Sequence, residues 1–115
     1  MAIVYVVATD WKLRTAVRAE LRERGIDALG MESADDVGRA LARGEMPSAV
    51  VLEATAELAG DSAIQGLVTR VPTVLVASRV ETVPLPKVAA VFYKPVRIGE
   101  IVEKVNEILA RDHAA

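Results

Sequence analysis

The sequence predicts an α/β fold in which a five-stranded parallel sheet carries helices on both faces. Short runs of small and β-branched residues recur along the 115-residue chain and are apolar throughout, as in strands buried on both faces. Amphipathic segments separate these runs, which indicates right-handed crossovers between parallel strands. Five strands and about five helices in this length fit the strand order 2-1-3-4-5. The length and the hydrophobic fraction of 52% suit one domain, residues 1–115, with one core.

Helix-boundary signals divide the first half of the chain. The predicted strands are residues 3–8, which are continuously apolar, and residues 27–31, which give a weaker signal. The helix after each strand begins at a residue suited to N-capping and ends at a glycine, with Asp10 and Gly25 bounding the first helix and Ser33 and Gly44 the second. Asp36, three residues after Ser33, completes an approximate capping box.

The second half repeats the pattern. Strands are predicted at residues 49–52, 73–77 and 88–93, with a short helix at residues 61–69. Pro84 and Pro86 lie between the last two strands, so we expect a fourth helix there to be short or missing. The final helix is strongly amphipathic, with apolar residues at Ile98, Ile101, Val102, Val105, Ile108 and Leu109. Residues 111–115 are expected to form a frayed end.

Composition and charge exclude several classes of function. The net charge of −2 and a pI near 5.4 argue against direct binding of nucleic acid through a general basic field. With no cysteine, the chain has no disulfide or thiolate site. The N-terminal apolar run is too short to span a membrane and lacks the basic flank of a signal peptide, so we expect a cytoplasmic protein without a membrane partner.

The sequence also lacks familiar catalytic and cofactor patterns. Its single histidine, His113, lies in the tail, which excludes a Ser-His-Asp site and a histidine-rich metal cluster. The seven glycines are dispersed and form no phosphate-binding loop. We therefore predict no enzymatic activity, no cofactor and no dedicated metal site.

Sheet topology collects the most informative polar residues at one edge, because sites in doubly wound sheets lie at the carboxyl ends of the strands. The residues placed there are Ala8, Thr9 and Asp10 after the first strand, Glu53 after the third, Ala77 and Ser78 after the fourth, and Lys94 after the fifth. Glu53 ends an otherwise apolar strand, and a buried charge is costly unless it is paired or hydrated. We expect Glu53 to lie where its strand leaves the core.

Several segments resemble bacterial response-regulator receiver domains, which are CheY-like and have the flavodoxin-like fold. YVVATDWKLRTAVRAELRERG resembles their first strand and helix. The strand ending in Glu53, the segment PTVLVAS, and FYKPV before an amphipathic helix match in order and spacing. The resemblance covers essentially the whole chain, and its most specific part is Lys94-Pro95 together with the five-strand rhythm. It implies a role in two-component, phosphorelay-type signal transduction.

In receiver domains an acidic pair binds Mg²⁺, an aspartate accepts a phosphoryl group, and a hydroxyl and a lysine contact the phosphoryl oxygens. The resemblance places the acidic pair at Ala8 and Thr9 with Asp10 beyond it, the acceptor at Glu53, the hydroxyl at Ala77 with Ser78 beyond it, the lysine at Lys94, and the switch aromatic at Val91. Ala8 cannot ligate Mg²⁺, Ala77 cannot hydrogen-bond a phosphoryl oxygen, and Glu53 is one methylene longer than aspartate. This pattern indicates an atypical receiver, or pseudo-receiver, that signals by protein–protein interaction without phosphorylation.

Several of these residues also have a purely structural interpretation. Glu53 either mimics the phosphorylated state through a hydrogen bond to Lys94 or forms a simple strand-end ion pair, and the lost hydroxyl and switch aromatic favour the ion pair. Asp10 could be a lone metal ligand, but capping the first helix explains it without a metal. Asp35 and Asp36 fit the positive end of the second helix better than an acid/base pair.

Trp11 has two interpretations of equal weight: it caps the pocket or anchors a partner, or it packs against the edge of the sheet. The arginine-rich first helix favours a solvated face over a surface for an acidic partner. A homodimer is compatible with the pattern, although the apolar stripe of the final helix is already needed by the sheet. The alternative functions are a small-molecule- or nucleotide-binding flavodoxin-like domain and a weakly phosphorylatable receiver.

Overall fold

The computed structural model describes residues 2–78 and 88–114, which form one five-stranded parallel sheet flanked by helices. The strands are β1 (Ile3–Val7), β2 (Asp27–Met31), β3 (Ala49–Glu53), β4 (Thr73–Ala77) and β5 (Ala90–Tyr93). The helices are α1 (Trp11–Glu23), α2 (Ala34–Ala42), α3 (Ala56–Ala59), α4 (Ser62–Arg70) and α5 (Ile98–Ala114). The strand order is β2-β1-β3-β4-β5, which confirms the predicted fold class.

The sheet is covered on both faces, and this explains the continuously apolar strands. Along β1, Val4 and Val6 pack into a core shared with α1 and α5, whereas Tyr5 and Val7 pack into a second core shared with α2, α3 and α4. Successive side chains of a strand point to opposite faces, so each position of a central strand has to be apolar. The central strands β1, β3 and β4 follow this rule except at Thr73, whose hydroxyl donates to the Val71 carbonyl, and at Glu53, the one charged residue in these strands.

Helix caps occur where the sequence predicts them. The Asp10 carboxylate accepts hydrogen bonds from the backbone N–H groups of Lys12 at 3.0 Å and Leu13 at 3.4 Å. Ser33 caps α2 by accepting from the N–H of Asp36, as the predicted capping box requires. The Asp36 carboxylate, however, reaches back to the N–H of Glu32 and not to that of Ser33. The acidic residue of the capping box therefore bonds to the N–H one residue before the N-cap, not to that of the N-cap itself.

Two glycines provide a matched test of backbone strain. Gly25, just beyond α1, has a φ of 77°, and an added Cβ there would meet nothing within 4 Å. Gly38 lies inside α2, where an added Cβ also meets nothing. We expect Gly25→Ala to lower the free energy of unfolding by about 1 kcal/mol, because a Cβ is disfavoured in the left-handed region. Gly38→Ala should raise it by about 0.5–1 kcal/mol through helix propensity.

Urea denaturation of both variants measures these effects side by side. Because neither added methyl group creates a contact, the opposite signs would arise from backbone conformation alone. Equal stability of the two variants would contradict the assignment of Gly25 to a strained end of α1.

The connection between β3 and β4 contains one helix that was predicted and one that was not. The predicted helix at residues 61–69 is α4, which Asp61 caps through hydrogen bonds from Ala63 and Ile64. Before it lies α3, a single turn in which the Thr55 hydroxyl accepts from the N–H of Leu58 at 3.2 Å. The sequence analysis did not predict α3.

Two further predictions concern the end of the chain and the segment before β5. The last helix, α5, extends to Ala114, through most of the residues 111–115 that were assigned to a frayed end. Pro84 and Pro86 lie in residues 79–87, outside the described residues, so the shortened or missing fourth helix stays a prediction. Among the helices described, none is both long and apolar enough to cross a membrane.

Candidate functional site

The carboxyl edge of the sheet brings together the residues that topology placed there. Glu53 is the last residue of β3 and is only 5% exposed, so it is buried, not merely at the point where the strand leaves the core. Ala8 follows β1 directly and is also buried, whereas Thr9 and Asp10 are exposed at the start of α1. Lys94 follows β5 and keeps 39% of its side chain exposed. The edge therefore holds one buried carboxylate next to a half-exposed ammonium group.

The Glu53 carboxylate accepts hydrogen bonds on both oxygens. Its Oε1 accepts from the Thr9 N–H at 2.9 Å, the Thr9 hydroxyl at 2.8 Å and the Asp10 N–H at 3.2 Å. Its Oε2 accepts from the Lys94 ammonium at 2.7 Å, which is both a hydrogen bond and an ion pair. We refer to these four contacts as the Glu53 network. They provide the pairing that a buried carboxylate requires.

Burial and hydrogen bonding act on the Glu53 carboxyl in opposite directions. Burial raises its pKa, because removal from water disfavours the charged form. The hydrogen bonds from Lys94, Thr9 and the Asp10 N–H, together with the positive charge of Lys94, lower the pKa by more. The net effect is a lowered pKa, so Glu53 is ionised at neutral pH.

Local structure explains why these donors converge. The N–H groups of Thr9 and Asp10 belong to the turn that leads into α1, and they point toward the end of the neighbouring strand β3. The Asp10 carboxylate is directed into α1 as its cap, which confirms the preferred interpretation of that residue. The positive end of the α1 dipole adds to the stabilisation of the anionic Glu53.

The end of β4 positions Lys94 but offers no hydroxyl at its last residue. The Ala77 carbonyl accepts from the Lys94 N–H at 2.8 Å, which continues the pairing of β4 and β5 up to the lysine. Ala77 itself is buried, and Ser78 just beyond it is half-buried. The peptide bond between Lys94 and Pro95 is cis.

Val91 occupies the position that the resemblance gives to a switch aromatic. It lies on β5 and is 39% exposed, on the same face as the half-exposed Tyr93. The neighbouring aromatic residue, Phe92, packs against the core shared with α1 and α5. An aromatic side chain thus lies next to the expected position but points to the other face of the sheet.

Trp11 is exposed beside this edge. The residue is 61% exposed, which leaves little of its side chain to pack against the edge of the sheet. At the same end of α1, an open cavity of about 300 Å³ is lined by Asp10, Lys12, Leu13, Lys94, Pro95, Val96 and Ile98. Four of its seven lining residues are apolar, and two are lysines.

The Mg²⁺ of a phosphorylatable receiver does not fit these residues. Ala8 offers no ligand, the Thr9 hydroxyl is directed at Glu53, and the Asp10 carboxylate caps α1. Mg²⁺ requires oxygen ligands in near-ideal octahedral geometry and in general binds at least one carboxylate directly. Within residues 2–78 and 88–114, no group of three or more acidic, histidine or cysteine residues could hold a metal ion.

Sequence reasoning missed part of the site. It predicted the contact between Glu53 and Lys94, but it did not identify Thr9 and Asp10 as donors to Glu53. Two of the three contacts on Oε1 come from backbone N–H groups, which carry no residue-type signal. The Thr9 hydroxyl, at a position that the resemblance assigned to the Mg²⁺-binding acidic pair, was the one available signal.

Comparison with known proteins adds the fold family. No protein-family model matches the chain, and no curated protein matches its sequence. Solved structures do match it over nearly its whole length. A response regulator receiver protein from Burkholderia phymatum is 21% identical with a TM-score of 0.77, each chain being covered to 96%. The Francisella response regulator 1452 receiver domain is 18% identical with a TM-score of 0.79, covering 97% of this chain and 99% of its own.

A CheY-like receiver domain protein from Methanospirillum hungatei is similar to the same degree. It is 17% identical with a TM-score of 0.79, and the alignment covers 99% of this chain and 98% of that one. The chain has the receiver-domain fold. At these identities the similarity concerns the fold alone.

Proposed function

We propose that this chain is a signalling module with the receiver fold that binds a protein partner and does not use the aspartyl-phosphate cycle. One observation carries the proposal: the Glu53 network occupies both oxygens of the residue at the acceptor position. A carboxylate that attacks phosphorus has to turn one oxygen toward the phosphoryl donor, with positive charge near the transferred group. Here the nearest ammonium group, that of Lys94, already neutralises the carboxylate itself.

The same network supports a site that stays in one state. The resemblance assigns Lys94 to a phosphoryl oxygen, and in this chain a carboxylate oxygen of Glu53 lies 2.7 Å from its ammonium. Because Glu53 is one methylene longer than aspartate, it reaches the lysine without a bound phosphoryl group. Ala77 offers no hydroxyl and Val91 no aromatic ring, so the two positions that the resemblance assigns to the switch supply no group to rearrange. The contact then acts as a constant tie between β3 and β5.

The surface beside the site supports a protein partner. Trp11 is exposed by 61% at the start of α1, and tryptophan is a common anchor of protein interfaces. The adjacent cavity adds apolar residues from α1 and from the segment after β5. We therefore place partner contact at Trp11 and propose that no cofactor or metal takes part.

Exposure to a phosphoryl donor tests the proposal. We expect no phosphoryl adduct in the intact-protein mass spectrum after incubation with acetyl phosphate and Mg²⁺. The matched control is the triple variant Ala8→Asp, Glu53→Asp, Ala77→Thr, which restores a metal ligand, the acceptor and the hydroxyl. A wild-type adduct that is absent from Glu53→Ala would overturn the proposal.

Titration with Mg²⁺ and beryllofluoride gives a second measurement on the unmodified chain. The single tryptophan, Trp11, reports directly on this edge by fluorescence, and amide NMR reports on the individual residues. We expect neither signal to saturate. Saturating amide shifts centred on Asp10, Glu53 and Lys94 would indicate a working receiver. A small molecule retained through purification, seen by native mass spectrometry, would instead favour the ligand-binding alternative.

A further inference from the structure

The strand β2 lies at the edge of the sheet, on the side away from β5. The Met31 carbonyl accepts from the N–H of Ala8, so Met31 directs its backbone groups toward β1. In a parallel ladder the backbone groups of successive residues alternate in direction, which turns those of Ala28 and Gly30 outward. An edge of this kind is a template for pairing with a strand of another chain.

Three arginines of α1 lie along this strand. Arg14, Arg18 and Arg22 are spaced four residues apart and therefore share one side of the helix; we call them the arginine row. Arg22 donates from Nη2 to the outward Ala28 carbonyl at 3.5 Å. At the other end of β2, Arg14 donates from Nη1 to the Ala8 carbonyl at 2.6 Å. The row thus extends over the length of β2.

Gly30 allows the middle of the row to lie close to the strand. A Cβ built on Gly30 would lie 2.8 Å from the Cδ of Arg18 and 3.2 Å from the Cδ of Arg14. Any other residue there would push these stems away from the sheet. In the described part of the chain, the buried Arg18 Nε has no hydrogen-bond acceptor, so packing against Gly30 and not a specific hydrogen bond holds the stem.

The charge of the row is only partly neutralised. Arg14 has a distant ion pair with the exposed Glu32, at 3.9 Å. Over residues 2–78 and 88–114, no carboxylate lies within the 4.0 Å ion-pair distance of Arg18 or Arg22. At the end of the strand, the Asp36 carboxylate accepts from the N–H of Glu32 and so occupies one more backbone group.

We propose that the arginine row shields the outer edge of β2 and prevents a second copy of this chain from adding a strand there. Paired strands lie about 4.8 Å apart, so antiparallel pairing of two copies, which keeps both α1 helices on one face of the joined sheet, would bring two arginine rows together. Such pairing would also break the contact of Arg22 with Ala28. It would remove from water the guanidinium groups of Arg18 and Arg22, which have no carboxylate partner within the described residues. Surfaces other than this edge remain open to partners.

The double variant Arg18→Gln, Arg22→Gln tests the proposal, because glutamine removes the charge without adding apolar surface. Its matched control is Arg70→Gln, Lys104→Gln, which removes the same charge from α4 and α5. Light scattering after size exclusion, over a range of concentrations, measures self-association. Relative to the control we expect the apparent dimer Kd of the edge variant to fall by about tenfold or more.

Amide hydrogen exchange identifies the surface that pairs. The amides of Ala28 and Gly30 should become protected in the associated edge variant, while Arg18→Lys, Arg22→Lys, which keeps the charge, should behave as wild type. The single variant Arg22→Gln changes an exposed residue and serves as the test if the double variant does not fold. Its apparent dimer Kd should also fall, by a smaller factor. An edge variant that associates no more than the control, or that associates without protecting Ala28 and Gly30, would overturn the proposal.

Discussion

Replacing Lys94 by methionine is expected to lower the free energy of unfolding by about 2–3 kcal/mol. Methionine keeps most of the apolar stem but removes the ammonium group that donates to Glu53 Oε2 at 2.7 Å. The Glu53 carboxylate is 5% exposed, so water cannot replace the lost donor without opening the edge. The effect stays below that of a fully buried pair, because the three contacts on Oε1 remain and Lys94 itself is half-exposed.

A second lysine–glutamate pair of the same chain is the control. Lys104 and Glu107 on α5 are 3.2 Å apart, and their side chains are 26% and 49% exposed. An exposed pair of this kind contributes little, so Lys104→Met should change the stability by no more than about 0.5 kcal/mol. Urea denaturation of both variants under the same conditions gives the difference. Equal losses at the two positions would show that burial of Glu53 adds nothing to its pairing.

A double-mutant cycle then isolates the interaction itself. In the Lys94→Met background the carboxylate already lacks its cationic partner, so the further change Glu53→Gln should cost less than it does in the wild type. We expect a coupling energy of about 1–2 kcal/mol between the two positions. Additive losses would mean that Glu53 and Lys94 contribute independently and would remove the main support for a constant tie between β3 and β5.

The fold was predictable because its boundaries depend on local signals. The limits of β2 and β4 agree with the predicted residues 27–31 and 73–77. β4 is apolar after Thr73, as expected of a strand covered on both faces, whereas the edge strand β2 gave the weaker signal. The turn α3 was not predictable in the same way. Four residues are too few to show a helical period, and its cap, Thr55, has no acidic residue three positions on to complete a capping box.

The sequence predicted which residues form the site better than it predicted the hydrogen bonds between them. Topology places Glu53 and Lys94 at the same edge of the sheet. Side chains of opposite charge that lie close together there form an ion pair. The backbone donors of Thr9 and Asp10 depend on the conformation of a turn, which residue types do not specify. They are the reason that Glu53 tolerates burial, whereas the sequence predicted a residue at the exit from the core.

The first helix shows the same limit of prediction from sequence. Its arginines favoured a solvated face, because charged residues at helical spacing are usually exposed. In the structure Arg14 and Arg18 are half-buried. The cause is Gly30 on the neighbouring strand, whose missing side chain leaves room for two arginine stems. A feature set by two segments in contact cannot be read from the pattern of either segment alone.

Acidification should remove the stability that Glu53 provides. Its folded-state pKa lies below the ordinary value, because burial raises it but the hydrogen bonds from Lys94, Thr9 and the Asp10 N–H, together with the Lys94 charge, lower it by more. The unfolded chain titrates near the ordinary glutamate pKa, about 4.3, and therefore binds a proton more readily than the folded chain in this range. The contribution is complete above that value and is lost as the pH falls through the folded pKa.

The variant Glu53→Gln separates this effect from the rest of the acid response. Glutamine does not titrate, so the stability difference between wild type and variant should be constant from pH 7 to about pH 5 and should shrink toward pH 3. Asp36 also has a lowered pKa, chiefly through the hydrogen bond from the Glu32 N–H, but it is present in both proteins and cancels in the difference. Urea midpoints measured at each pH give the curve. A difference that does not change with pH would mean that the folded protein does not favour the charged form of Glu53, and the argument that its oxygens are engaged by cationic and N–H donors would fail with it.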